Sequence, residues 1–114
     1  MTEKETINDG VVEEFYDNGQ LKYRGNNKDG YRHGLWETFY LSNNNPFVLH
    51  GPINTRGNYK DWELEGLWEE FHKNGQLRSR RNCINGEQHG LWEYFDEEGN
   101  PTNTEEYKDG ELVE

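Results

Sequence analysis

The amino-acid sequence predicts an all-β protein, an elongated and twisted antiparallel meander sheet of about eight strands built from four stacked β-hairpins. The pattern Gly-Leu-Trp-Glu-x-Phe recurs, closely or loosely, at residues 34–39, 66–71 and 90–95, with the weaker copy Gly-Val-Val-Glu-Glu-Phe at 10–15. Each copy is too short for a helix, and its rings favour the pleated surface of a strand. Asn-Gly pairs at residues 18–19 and 74–75 predict tight hairpin turns, because both residue types tolerate positive φ.

The copies organise the chain into one repeat domain. Residues 1–9 lack the pattern and are polar, so we expect a weakly ordered lead-in. The repeat domain spans residues 10–114 as a single array. Its approximate repeats are residues 10–33, 34–65, 66–89 and 90–114, and the second repeat is longer because it carries an insertion near residues 41–51.

The second strand of each hairpin follows the Asn-Gly turn. In the first repeat, Leu21 and Tyr23 fall on one face of this strand, and Lys22 and Arg24 fall on the other. This alternation fits a sheet with one solvated face. A second turn then leads to the next repeat, with the sequence Lys-Asp-Gly at residues 28–30 and 108–110.

Two residue types recur at fixed places in the first strand. A glycine precedes each full copy, and we expect special backbone angles or close packing there, so that alanine destabilises by more than its size implies. A glutamate follows each tryptophan, and we expect it to form a cross-strand pair or hydrogen bond, with Lys22, Arg24, Arg56, Arg78 and Arg80 as the candidate partners. These residues are Gly34, Gly66 and Gly90, and Glu37, Glu69 and Glu93.

Composition restricts both fold and function. Hydrophobic residues make up 30% of the chain and aromatic residues 14%, which predicts a thin structure whose apolar contacts come mainly from rings. The net charge of −11 argues against a nucleic-acid-binding surface. The excess acid lies mainly in the last repeat, which is interpreted either as a solvated end cap or as a surface for a basic partner. The single cysteine excludes an internal disulfide, and with no signal-peptide pattern we expect a soluble cytoplasmic protein.

The hairpin repeats, read as Gly-Leu-Trp-Glu-x-Phe, Asn-Gly-Gln-Leu and Tyr-Lys-Asp-Gly, resemble the MORN repeat. They are most similar to the variant found in bacterial proteins labelled antitoxin components. The resemblance implies a sheet of stacked hairpins that acts as an interaction module. The antitoxin label further implies binding and neutralising a partner protein. No membrane role is expected, because anionic headgroups repel an acidic array.

No residue pattern predicts catalysis, a metal site or a cofactor. Cys83 aligns with Tyr59 and Tyr107, which are strand positions, so it is interpreted as a packing residue. His33 and His89 recur before a corner glycine, which favours a structural hydrogen bond over metal binding. We therefore expect that the protein is not an enzyme.

Function in a repeat array is expected where the repeats differ. Repeat 2 has an apolar segment in its insertion, including Phe47 and Leu49, and it has Trp62 where other repeats have a turn glycine. Exposed aromatic residues of this kind anchor protein interfaces. With Trp36 and Trp68 of the aromatic face, these residues form the predicted partner-binding site. The alternative is that Phe47 and Leu49 fold back and seal one end of the core.

Three functional hypotheses follow. The first is a non-enzymatic module that captures a partner protein. The second is a sponge for a small molecule or nucleotide, such as a phage-encoded counter-defence inhibitor, and the third is an acidic nucleic-acid mimic acting through residues 93–111. A basic patch is predicted to bind an anion or to mediate self-association as a homodimer, and it consists of Arg56, Arg78, Arg80 and Arg81.

Overall fold

The computed structural model describes residues 9–61 and 63–113, which form one ten-stranded antiparallel sheet. Within these residues no helix is long and apolar enough to cross a membrane. The strands are β1 (Gly10–Phe15), β2 (Leu21–Lys28), β3 (Tyr31–Phe39), β4 (Ile53–Lys60), β5 (Glu63–Phe71), β6 (Leu77–Ile84), β7 (Glu87–Gln88), β8 (Gly90–Phe95), β9 (Pro101–Lys108) and β10 (Glu111–Val113).

The sheet is an open meander in which each strand pairs with its neighbour in sequence. The order is β1-β2-β3-β4-β5-β6-β8-β9-β10, and β7 also pairs with β6. The predicted all-β class and meander are confirmed. The strand number exceeds eight because β7 and β8 are two parts of one course interrupted at His89, and because β10 adds a short final strand.

The hairpin connections are of two kinds, and their assignment differs from the prediction. Two-residue turns with positive φ at both positions occur at Asp29-Gly30, Asn85-Gly86 and Asp109-Gly110. At the Asn18-Gly19 turn only Gly19 has positive φ, because the Asn18 side chain instead accepts a hydrogen bond of 3.0 Å from the backbone N–H of Gln20. The predicted hairpins at the Asn-Gly pairs are confirmed, but positive φ is found at the glycine of each pair and not at the asparagine.

One face of the sheet carries a row of alternating charges, which we call the charge row. Salt bridges join Arg24 to Glu37 at 3.0 Å, Arg56 to Glu69 at 2.8 Å and Arg80 to Glu93 at 2.9 Å. The expected cross-strand pairing of the repeated glutamates is confirmed for Arg24, Arg56 and Arg80, whereas Arg78 pairs with Glu70. In register, the row runs through Glu13, Arg24, Glu37, Arg56, Glu69, Arg80 and Glu93.

The opposite face carries the tryptophans, and two of them lie directly on the backbone of a neighbouring strand. An added Cβ on Gly25 would stand 2.1 Å from the Trp36 ring, and one on Gly57 would stand 2.3 Å from the Trp68 ring. Only glycine leaves room for this contact. In a sheet without a covering layer, ring-on-backbone contacts supply much of the apolar burial.

Glycine is favoured at the three corner positions by the backbone conformation and not by a lack of space for a side chain. Gly34, Gly66 and Gly90 have φ of 74°, 84° and 72°, and an added Cβ at each would meet no atom within 4 Å. The expectation of special backbone angles is confirmed. Close packing occurs instead at Gly25 and Gly57.

We predict that Gly66→Ala destabilises the protein by about 1–2 kcal/mol, because alanine pays for the left-handed conformation. Gly66→Asn should cost less, since asparagine tolerates positive φ. At Gly57 the constraint is the space beside the Trp68 ring, so Gly57→Asn should destabilise the protein more than Gly57→Ala. Urea unfolding of the four variants measures this, and equal costs for Ala and Asn at position 66 would show that φ is not the constraint.

Candidate functional site

The insertion of repeat 2 connects β3 to β4 and is held by the first hairpin. The side chain of Gln20 forms a reciprocal pair with the backbone of Ser42: its Nε2 donates to the Ser42 carbonyl at 2.9 Å, and its Oε1 accepts from the Ser42 N–H at 2.8 Å. The N–H of Leu21 donates to the carbonyl of Leu49 at 2.8 Å. Gln20 and Leu21 are each only 1% exposed, so the insertion covers this end of the sheet.

The return of the insertion to β4 is braced as well. The His50 ring stacks on Phe39 with centroids 4.0 Å apart, and its Nδ1 lies 2.8 Å from the Gly51 carbonyl. Gly51 passes so close to Tyr40 that an added Cβ would stand 2.2 Å from the Tyr40 carbonyl oxygen. The Tyr40 N–H donates to the carbonyl of Pro52 at 2.8 Å. These contacts fix both ends of a long loop.

The tip of the insertion presents apolar side chains to solvent. Phe47 is 95% exposed and Leu49 is 67% exposed. The N–H of Phe47 donates to the Asn45 side-chain oxygen at 3.1 Å, which forms a local turn. Phe47 and Leu49 therefore do not fold back over the core. The backbone of the insertion and His50 cover this end of the sheet instead, while the two apolar side chains remain outside.

A shallow cleft of about 210 Å³ runs between the insertion and the next hairpin. Tyr40 lines it, and this ring is held in place because its hydroxyl donates to the Phe71 carbonyl at 2.6 Å and the Lys73 ammonium lies 5.9 Å from its centroid. The cleft lies beside the exposed tip and offers backbone and amide groups. Its lining residues are Tyr40, Leu41, Ser42, Asn43, Asn44, Pro52 and Lys73.

The tryptophans predicted for the same site lie elsewhere. Trp36 is 3% exposed, its Nε1 donates to the Asn26 carbonyl at 2.9 Å, and the guanidinium of Arg32 covers its ring at 4.3 Å. Trp68 is partly buried on the same face. Both rings are therefore used in packing within the sheet.

Trp62 lies outside the described residues. Its neighbours Asp61 and Glu63 stand at the far end of β4 from the insertion. Eight strand residues at about 3.3 Å each separate the two ends by roughly 25 Å. Asp61 and Glu63 therefore lie away from the insertion, and the role of Trp62 stays a prediction.

The predicted basic patch is divided between the two faces and neutralised by glutamates. Arg56 and Arg80 belong to the charge row, where Glu69 and Glu93 bind them. Arg78 and Arg81 both pair with Glu70, which points to the other face because it is adjacent to Glu69. An anion would have to displace these carboxylates, so the structure gives no support to an anion site here.

Glu70 is the centre of a polar cluster that the sequence interpretation missed. It accepts hydrogen bonds from the Trp68 indole at 3.3 Å and from the Ser79 hydroxyl at 3.2 Å, in addition to its arginine partners. Burial raises the pKa of this carboxyl, but the Trp68 hydrogen bond and the charges of Arg81 and Arg78 outweigh burial and leave the pKa below its ordinary value. The repeats contain a signal for this cluster, because Arg81 occupies the position that Gly25 and Gly57 hold in repeats 1 and 2.

Cys83 is buried, as its packing interpretation predicted, and burial raises the pKa of its thiol. A raised thiol pKa lowers the thiolate fraction that nucleophilic attack requires. The described residues contain no group of histidine, cysteine and carboxylate side chains able to hold a metal ion. The expectation of a non-enzyme stays a prediction.

We predict that Glu70→Gln destabilises the protein by about 1 kcal/mol at pH 7, because Arg78 and Arg81 lose their counter-ion. Because the pKa of Glu70 is lower in the folded protein than in the unfolded chain, its carboxylate stabilises the fold at pH values above the unfolded-state pKa. This contribution is lost as the pH falls through the folded-state pKa. The gap between wild type and variant should therefore shrink on acidification. Urea midpoints from pH 7 to pH 3 measure it, with exposed Glu106→Gln as the control, and a pH-independent gap would contradict the prediction.

The repeat geometry agrees with the comparison with known families. The profile of the family described as MORN repeat variant matches residues 8–29, 64–85 and 88–109, which together make up more than half of the chain. Each match contains one first strand and one second strand, and repeat 2, which carries the insertion, lies outside the matches. No match to the chain is found among the curated proteins or among the solved structures. The three matched segments, in the register that the sheet displays, show that the chain belongs to the MORN repeat variant family.

Proposed function

We propose that this protein is a non-enzymatic binding module that captures a partner protein through the insertion of repeat 2 and thereby neutralises it, in the manner of an antitoxin or an inhibitor. The observation that carries the proposal is Phe47, which is 95% exposed at the tip of a loop braced at both ends. A soluble monomer gains nothing from a phenylalanine in water. An anchor for a partner's pocket explains its position.

Pre-organisation supports the same function. Loop residues that must be ordered on binding reduce affinity, so a loop that is already fixed binds with a smaller entropic cost. Here the Gln20–Ser42 pair and the His50–Phe39 stack fix the segment before any partner arrives. Phe47 supplies the ring, Leu49 a second apolar contact, and the cleft around Tyr40 supplies polar groups for a rim.

A binding function without catalysis fits the salt bridges that the repeated carboxylates already form. Glu37, Glu69 and Glu93 hold arginines in the charge row, so they serve the scaffold. The proposal places the complex in the cytoplasm, where a protein without disulfides is stable. A homodimer through Phe47 and a small-molecule ligand are the alternatives that the test has to separate.

The test is photo-crosslinking from position 47. Benzoylphenylalanine replaces Phe47 in one protein and Leu91, which is 50% exposed on the sheet, in the other. In producing cells, position 47 should crosslink one defined protein, and position 91 should not. Phe47→Ala should then weaken binding of that purified protein about 30-fold, as expected for an anchor, whereas Leu91→Ala should not change it.

Equal crosslinking from both positions, or unchanged affinity for Phe47→Ala with an intact fold, would overturn the proposal. Crosslinking of the chain to itself would assign the surface to a homodimer. A retained small ligand in native mass spectrometry would favour the sponge. Affinity that falls steeply with salt and is insensitive to Phe47→Ala would transfer binding to the acidic last repeat.

A further inference from the structure

Two internal first strands, β3 and β5, present the same pair of side chains to an arginine from the strand before them. Arg24 binds Glu37 at 3.0 Å and lies 5.4 Å from the Phe39 ring centroid. Arg56 repeats the arrangement with Glu69 at 2.8 Å and with Phe71, also at 5.4 Å. A glutamate and a phenylalanine two residues later therefore form a receptor for one guanidinium.

The first strand β1 carries the same two side chains, and among the described residues it is the edge strand of the sheet. Glu13 and Phe15 stand in register with Glu37 and Phe39. Arg24, the cation opposite Glu13, is directed to Glu37, and within residues 9–61 and 63–113 Glu13 has no ion-pair partner. Phe15 is 49% exposed, whereas Phe39 is 3% exposed beneath Arg24 and His50.

We propose that the β1 edge binds an extended segment of another protein, added as an antiparallel strand, whose arginine pairs with Glu13 and covers Phe15. The added strand takes the place that β2 and β4 occupy beside β3 and β5. Its backbone continues the ladder at the edge of the meander. Its apolar side chains meet Val11, which is 75% exposed on the same face as Glu13 and Phe15.

Arginine suits this receptor better than lysine. A guanidinium stacks on a ring with its flat face while its N–H groups donate to a carboxylate, and both contacts recur at Glu37 and Glu69. An ammonium group makes the charge contact without the stacking geometry. The internal arginines therefore define the chemistry of the missing partner.

A second copy of this chain does not fit the edge. In the charge row, β9 carries Thr104 opposite Glu93, where β2, β4 and β6 carry arginine. Neither β1 nor β10 contains a basic residue. Pairing of two β1 strands would instead bring together Glu13 and Glu14 of both copies, and like charges across a sheet are destabilising. The occupant is therefore a different protein with a cationic strand.

This surface is independent of the function proposed for Phe47. It rests on Glu13 and Phe15, and neither belongs to the insertion. Failure of one proposal leaves the other intact, because substitutions at Glu13 and at Phe47 test them separately.

The experiment uses the full chain and a synthetic peptide with the β4 sequence of residues 53–60, which contains Arg56. Titration is followed by NMR, because a short peptide that must be ordered binds weakly. Shifts should be confined to β1, at Glu13 and Phe15, and be absent at Leu91. Replacing the peptide arginine by citrulline should weaken binding about tenfold, since both the charge and cation–π contacts are lost.

Matched protein variants decide the assignment. Glu13→Gln should weaken the peptide about fivefold, while Glu14→Gln, on the other face of the same strand, should leave affinity unchanged. A Glu13→Arg protein should recover binding to a peptide in which Arg56→Glu has been made. Absence of shifts in β1, equal affinity for the citrulline peptide, or an effect of Glu14→Gln as large as that of Glu13→Gln would overturn the proposal. So would a concentration-dependent dimer that Glu13→Gln does not alter, because a second copy would then hold the edge.

Discussion

The contact of two tryptophan rings with the backbone of the preceding strand is the interaction on which this sheet depends. The part of the chain that the structure describes forms a single layer, so its apolar burial has to be found within one sheet. Trp36 solves this by lying on Gly25, and Trp68 by lying on Gly57. The glycines remove the side chain that would lift the ring off the sheet. What looks like a low hydrophobic content is thus compatible with folding, because a few large rings cover backbone as well as side chains.

The charge row follows from the same constraint. The face opposite the tryptophans is solvated, so its stability comes from cross-strand pairs rather than from burial. Exposed pairs are individually weak, but here the arginines also lie over Phe39 and Phe71 and shield them. The row therefore joins an electrostatic contact to an apolar one. Repeat 3 differs on the other face, where Arg81 stands in place of Gly25 and Gly57 of repeats 1 and 2 and pairs with Glu70.

Sequence periodicity was sufficient for the hairpins and for the pairing of the repeated glutamates, and it marked Gly34, Gly66 and Gly90 as special positions, because each is a local or repeated feature. Sequence periodicity was insufficient for contacts that occur in only one repeat. The Gln20–Ser42 pair joins residues that no repeat relates, so the division of the insertion into a cap and an exposed tip was not predictable. Positive φ was expected at Asn18 and is absent for a different reason. The Asn18 side chain accepts a hydrogen bond from the backbone N–H of Gln20, and this bond competes with the two-residue turn.

Within residues 9–61 and 63–113 the meander has an unpaired edge at each end, and the two edges are protected differently. The final strand β10 is only three residues long and begins with Glu111, and short, charged edge strands resist pairing. The first strand β1 is longer and exposes Val11 and Phe15, which alone would favour aggregation. Its protection lies in Glu13 and Glu14. Two such strands repel each other, whereas a strand carrying arginine neutralises Glu13 and shields Phe15. The same carboxylate therefore opposes self-association and selects the partner.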